Sequence, residues 1–140
     1  MEDTLSENLS EARQHIQPEG ISIPRQPYSP VVRVGKTVYV SGQLPIDKDR
    51  NVVGLGDPAQ QAEQCWKNIE LCLASAGASV GDIVKVVGYF ADLADVEYEV
   101  AVRRGLFQQD RYPVASIVQA AKVGSVPGTL MEIEVIAMLP

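Results

Sequence analysis

The segment MEIEVIAML, residues 131–139, constrains the fold more than any other. Side chains alternate along a strand, so Met131, Ile133, Val135, Ala137 and Leu139 share one face and Glu132, Glu134, Ile136 and Met138 the other. The first face is wholly apolar and has to be covered by helices. The second is acidic at one end and apolar at the other. A half-apolar second face needs cover too, and once the helices are spent on the first face, another copy of the chain is the natural cover.

Two helices are at hand. Asp57 suits an N-cap and Pro58 a first helical position. Ala62, Cys65, Trp66, Ile69, Cys72, Leu73 and Ala76 then form an apolar stripe at helical spacing, and Gly77 suits the C-cap. Asp95 heads a second helix reaching about Gln109, with Val96, Val100, Leu106 and Phe107 apolar and Arg103 and Arg104 in its middle. The remaining strands are VVRV (31–34) and TVYVSG (37–42), joined by Gly35-Lys36, then DIVKVVGYFADL (82–93) and VASIVQAA (114–121). The order strand, strand, helix, strand, helix, strand, strand predicts an α+β layer with both helices on one face of a sheet.

Residues 20–140 read as a single domain; 46% hydrophobic residues in a chain of 140 suffice for one core. Residues 1–19 form an acidic leader. Leu5, Leu9, Ala12 and Ile16 share one helical face there, so the leader is either a short docked helix or disordered. Pro18, Gly20, Pro24, Pro27 and Pro30 then forbid a helix at the start of the domain.

A net charge of −6 argues against nucleic acid as a partner, because phosphate binding needs a basic surface. No apolar run approaches the roughly 20 residues that span a bilayer. The polar N-terminus is no secretory signal, so a cytoplasmic protein without a membrane partner is expected. Cys65 and Cys72, placed on one helix, stand about 10 Å apart along its axis, too far for a disulfide. They read as buried apolar residues in a reducing cytosol. With a single histidine, His15, they leave no metal site, and no Ser-His-Asp triad is expected. VVGLGDP carries glycines without a phosphate-cradling pattern and reads as a loop.

YSPVVRVGKTVYVSGQLPID, KNIELCLASAGASVGDIVKV and the ending YPVAS with MEIEVIA together resemble the Rid family, the reactive intermediate deaminases, also called YjgF-like. The resemblance runs from about Pro27 to the end of the chain. It implies a chorismate-mutase-like fold: a single mixed sheet with two helices on one face, assembled as a homotrimer with a central barrel and three ligand clefts between subunits. It also implies hydrolysis of small imine or enamine metabolites, without metal or cofactor. An arginine in a Pro-Ala-Arg-Ser/Thr motif grips the substrate carboxylate, and a glutamate in the last strand positions or activates water. Residue by residue, Pro113 and Ser116 match the motif, Glu132 matches the glutamate, Tyr28 the cleft tyrosine, and Ser41 and Gly42 the SGQ turn. Ala115 falls on the arginine. Val123-Gly124 stand where the family has Leu-Pro, and Val100 and Arg103 replace an asparagine and a tyrosine of the second helix.

Alanine cannot hold a carboxylate as a guanidinium does, a loss on the order of several kcal/mol in binding. Arg111, Arg103 and Arg104 are candidate replacements, and each reads more readily as a solvated surface arginine. Glu132 is the expected catalytic residue, since burial raises a carboxyl's pKa and suits it to carry protons. Its other reading is a carboxylate hydrogen-bonded or ion-paired at an interface. Glu134, roughly 6.5–7 Å further along the strand, reads as structural. Tyr28, Ser41, Gly42, Ala115, Ser116 and Arg111 are the expected ligand-binding set. A cofactor-free hydrolase of an imine, enamine or carbonyl metabolite is therefore expected, with a non-standard substrate. The alternative is a catalytically inactive ligand-binding or protein-interaction trimer. A ribonuclease, reported for some relatives of the family, fits least with the acidic charge and the single histidine.

Overall fold

A computed structural model of the chain describes residues 13–140. Its strands are β1 (Arg13–Ile16), β2 (Val31–Val34), β3 (Thr37–Gln43), β4 (Ile83–Phe90), β5 (Val114–Gln119) and β6 (Met131–Met138), and its helices are α1 (Pro58–Ser75) and α2 (Val96–Leu106). The strands form one sheet in the order β1-β2-β3-β6-β4-β5. Only the β4–β5 pair is parallel, with α2 in the crossover between them, so the sheet is mixed. Both helices lie on one face, as the sequence predicts.

On β6, Met131, Ile133, Val135 and Ala137 are buried against the helices, while Glu132, Glu134 and Ile136 are half-buried and Met138 is exposed on the other face. The whole α1 stripe from Ala62 to Ala76 is buried in the same core. Asp57 caps α1 by accepting the Gln60 N–H at 3.1 Å, and Gly77 follows the helix in the left-handed region, φ +78°.

α1 also buries two amides that its hydrophobic pattern does not reveal. Asn68 Nδ2 donates to the carbonyls of Leu44 (3.0 Å) and Ile46 (2.9 Å), and Gln61 Nε2 donates to those of Gly54 and Gly128 (3.0 Å each). Gln61 Oε1 accepts the Leu130 N–H at 2.8 Å. These bonds satisfy loop backbone that would otherwise be buried unpaired, and they fix the 44–54 loop on the helix.

α2 differs from expectation at both ends. Asp95 makes no capping hydrogen bond; Asp92 instead accepts the Ala94 N–H at 2.9 Å in a preceding 3-10 turn. The helix stops at Leu106 because Phe107 turns extended and packs edge-on against Trp66, ring centroids 5.9 Å apart. The buried Glu99 accepts from Trp66 Nε1 at 3.1 Å and from Arg103 Nε and Nη2 at 3.0 and 2.6 Å.

The leader is neither helical nor disordered where it is described. Arg13–Ile16 pairs antiparallel with β2, from Arg13↔Val34 to Ile16↔Val31. β2 would otherwise be a bare sheet edge, and its unpaired backbone groups recruit the nearest extended segment. Ile16 packs against the core, and His15 Nδ1 lies 3.2 Å from Ser29 Oγ. Leu5, Leu9 and Ala12 lie outside the described residues.

Candidate functional site

β3 pairs with β6 in regular register from Thr37↔Met138 to Val40↔Val135; the next pair is Gln43↔Ile133. Three steps on β3 thus oppose two on β6, a bulge at Ser41-Gly42. The Ser41 N–H leaves the ladder and donates to the Pro30 carbonyl at 2.9 Å, tying the proline-rich segment to the bulge. Gly42 has to be glycine here. A Cβ would overlap Glu132 Oε1 and sit 2.6 Å from Glu132 Cδ. The missing side chain is the space into which the Glu132 carboxyl extends.

That carboxyl opens on a cavity of about 450 Å³. Its walls come from three places: the segment after β1 (Ile21, Ser22, Arg25, Gln26, Tyr28, Pro30), the bulge and following loop (Ser41 to Leu44, Ile46, Arg50), and the approach to β6 (Gly124, Ser125). Asn68 of α1 closes the floor. Burial pushes the Glu132 carboxyl up from its ordinary value of 4.5, and the neighbouring Glu134 carboxylate adds to the shift. Glu134 is engaged separately: it accepts the Tyr89 hydroxyl at 2.7 Å, a bond that raises the phenol's pKa. A half-buried carboxyl with raised proton affinity beside hydroxyls can take and return a proton.

Of the residues expected from sequence, Tyr28, Ser41, Gly42 and Glu132 meet in this cavity, whereas Ala115, Ser116 and Arg111 do not line it. Ala115 pairs with Val86 and Ser116 with Val87 on the edge strand β5. Val86 is buried on the helix face, so Ala115 faces that side while Glu132 faces the other, with β4 between their strands. One copy of the chain therefore does not bring position 115 to Glu132. Arg111 and Arg104 are exposed. Arg103 is spent on Glu99, the only ion pair among the described residues, and so is not a free replacement for the arginine.

Sequence reading missed Arg25, Arg50, Ser22, Gln26 and Ser125 as cavity residues. Their one signal was position: each stands in a loop between turn-forming residues, where a rigid scaffold presents functional groups. Among the described residues, no cluster of three His, Cys, Asp or Glu could hold a metal, and no helix is long and apolar enough to cross a membrane.

A RutC family protein of Pyrococcus abyssi is 33% identical over 126 residues, covering 90% of this chain and 97% of its own. The 3-aminoacrylate deaminase RutC of Acinetobacter baylyi is 35% identical over 122 residues, covering 87% and 94%. Among solved structures, RidA from the Antarctic bacterium Psychrobacter sp. superposes with a TM-score of 0.80 at 34% identity, covering 90% of this chain and 99% of its own. Residues 21–139 match the sequence model of the family described as endoribonuclease L-PSP, and with these relatives the match shows that the chain belongs to that family, the Rid or RutC proteins.

Proposed function

We propose that the protein is a cofactor-free hydrolase of a small imine, enamine or carbonyl-bearing metabolite, working in clefts completed by a second copy of the chain. The observation that carries this reading is Glu132, a half-buried carboxyl with raised proton affinity that faces a ligand-sized cavity through the gap left by Gly42. The likeness to a 3-aminoacrylate deaminase supports the same class of reaction.

An enamine protonated at carbon, or an imine protonated at nitrogen from solvent, becomes the iminium. Water adds to its C=N carbon and gives a proton to the Glu132 carboxylate, leaving a neutral carbinolamine. Glu132 returns that proton to the nitrogen, the O–H proton goes to solvent as the C–N bond breaks, and ammonia departs. The sum is imine plus water to carbonyl plus ammonia. No electrons are transferred, so water is the only co-reactant and no cofactor is required. Tyr28 and Ser41 supply hydroxyls that orient the water and the reacting group.

The assembly we propose is a homotrimer with its sheets around a central barrel. β5 is exposed along its whole length, with Val114 68% exposed, and Tyr39 and Met138 are exposed on the helix-free face. Cover by further copies removes this apolar surface from water. It also carries Ala115 and Ser116 to the cavity of a neighbour. With Ala115 in place of a guanidinium, the substrate differs from the usual 2-imino acid or is held in another orientation. The two buried free thiols suit a cytoplasmic protein.

The test generates 2-imino acids with an amino-acid oxidase, traps what survives with semicarbazide, and compares wild type, Glu132→Ala and Ala115→Arg. Wild-type hydrolysis falling about a hundredfold or more in Glu132→Ala is expected. Activity only in Ala115→Arg assigns the cleft to another substrate. Silence in all three, with assemblies intact, overturns the hydrolase and favours an inactive ligand-binding or interaction trimer, the reading that Ala115 supports.

A further inference from the structure

The charges that line the cavity are Arg25, Arg50 and Glu132, two cations against one carboxyl, in a chain whose net charge is −6. Among the described residues neither arginine has an ion-pair partner; the one ion pair there is Arg103 with Glu99. Arg50 Nη2 lies 3.4 Å from the neutral Ser125 Oγ, and Arg25 is exposed at the cavity wall. A guanidinium presents a planar fork of donors that matches a carboxylate.

Arg50 is also held in place by construction. Asp47 Oδ1 accepts the N–H groups of Asp49 and Asn51 at 2.9 Å each, the Asp47 N–H donates to the Asn51 carbonyl at 2.9 Å, and the Arg50 N–H donates to the Asp47 carbonyl at 3.0 Å. This tight turn forces Arg50 to φ +68°, the left-handed region that favours glycine. Asn68 pins the stem of the same loop through the Leu44 and Ile46 carbonyls, so the guanidinium is presented from a fixed platform.

We infer that Arg25 and Arg50 are the anion anchor of this cavity, binding the carboxylate of a small 2-oxo or 2-imino acid from within the subunit that supplies Glu132. The inference rests on the cavity assigned above and names what holds the ligand there. The usual anchor enters from β5 of another copy; here it belongs to the loops on either side of the bulge.

The test is binding, which does not depend on turnover. The intact assembly is titrated by NMR with pyruvate, with its uncharged amide pyruvamide, and with inorganic phosphate at constant ionic strength. Wild type is expected to bind pyruvate and to discriminate against the amide by at least about tenfold. Arg25→Gln and Arg50→Gln each weaken pyruvate about tenfold, whereas Lys67→Gln, on the exposed face of α1, changes nothing. Arg50→Gly removes the guanidinium while relieving the left-handed backbone, so it keeps the fold and separates binding from stability.

Equal affinity for pyruvate in the double arginine variant, equal affinity for the amide, or no pyruvate binding by wild type overturns the anchor. Phosphate bound in preference to pyruvate overturns the carboxylate class. Pyruvate binding that depends on both arginines, beside silence in the imine assay, upholds the anchor and refutes the hydrolase. Imine turnover unchanged in the double variant does the reverse.

Discussion

Glu132 and Gly42 work as one unit. The carboxyl lies in the space that a side chain at position 42 would fill, so Gly42→Ala is expected to shift it and slow imine hydrolysis by about a hundredfold, as an ångström of misplacement does. Comparing kcat with the melting temperature of the same variant separates lost geometry from lost fold. The raised proton affinity also has a stability cost of definite sign. The folded chain holds the Glu132 proton more tightly than the unfolded chain does. This contribution is complete below the ordinary value of 4.5 and is lost as pH climbs through the higher folded value. Glu132→Gln is therefore expected to gain stability over wild type in urea unfolding at about pH 8 and to gain none at about pH 4. A gain of equal size at both would assign the raised proton affinity to something other than burial in the fold.

The two helices are joined by a polar contact inside an apolar layer. Glu99 on α2 is fully buried and takes the Trp66 indole N–H of α1 and both donors of Arg103. Glu99→Leu leaves a part-buried guanidinium and a buried indole N–H without partners, and a loss of about 3 kcal/mol is expected in chemical denaturation. Glu99→Leu combined with Arg103→Met recovers most of it, because the cost lies in the orphaned charge rather than in the pair. The length and stripe of α1 could be read directly, since caps and apolar period both stand in the sequence. Those of α2 could not: a mid-helix glutamate and arginine look solvated until the partner helix is known to supply a third polar group. In the described part of the leader the same limit shows: the spacing left a docked helix or disorder open, and the open edge of β2 takes Arg13–Ile16 as a strand.

For the whole molecule, the exposed β5 and the exposed residues of the helix-free sheet face are the surfaces on which the proposed trimer is tested. Light scattering is expected to give three copies. Val118→Asp, on β5 beside Tyr89 and facing the side opposite the helices, is expected to release monomers that keep their helical circular dichroism. A wild-type monomer would remove the neighbour that brings position 115 to Glu132, and the cleft would then be the single-chain cavity alone.

The sequence by itself determined the layered α+β plan and the α1 core stripe, because periodicity and caps are local properties that survive in any context. Tyr28, Ser41, Gly42 and Glu132 were grouped only by the resemblance to the Rid family, and the fold brings them to one cavity. Only the tertiary structure decided which charges line the cavity. Arg103, plausible by composition, is consumed by Glu99, whereas Arg25 and Arg50, which no pattern marks, reach one cavity from separate loops. The physical reason is that side-chain pairing depends on three-dimensional neighbours. A one-residue bulge, two buried amides on α1 and a turn around Asp47 set those neighbours, and none of them leaves a period in the chain.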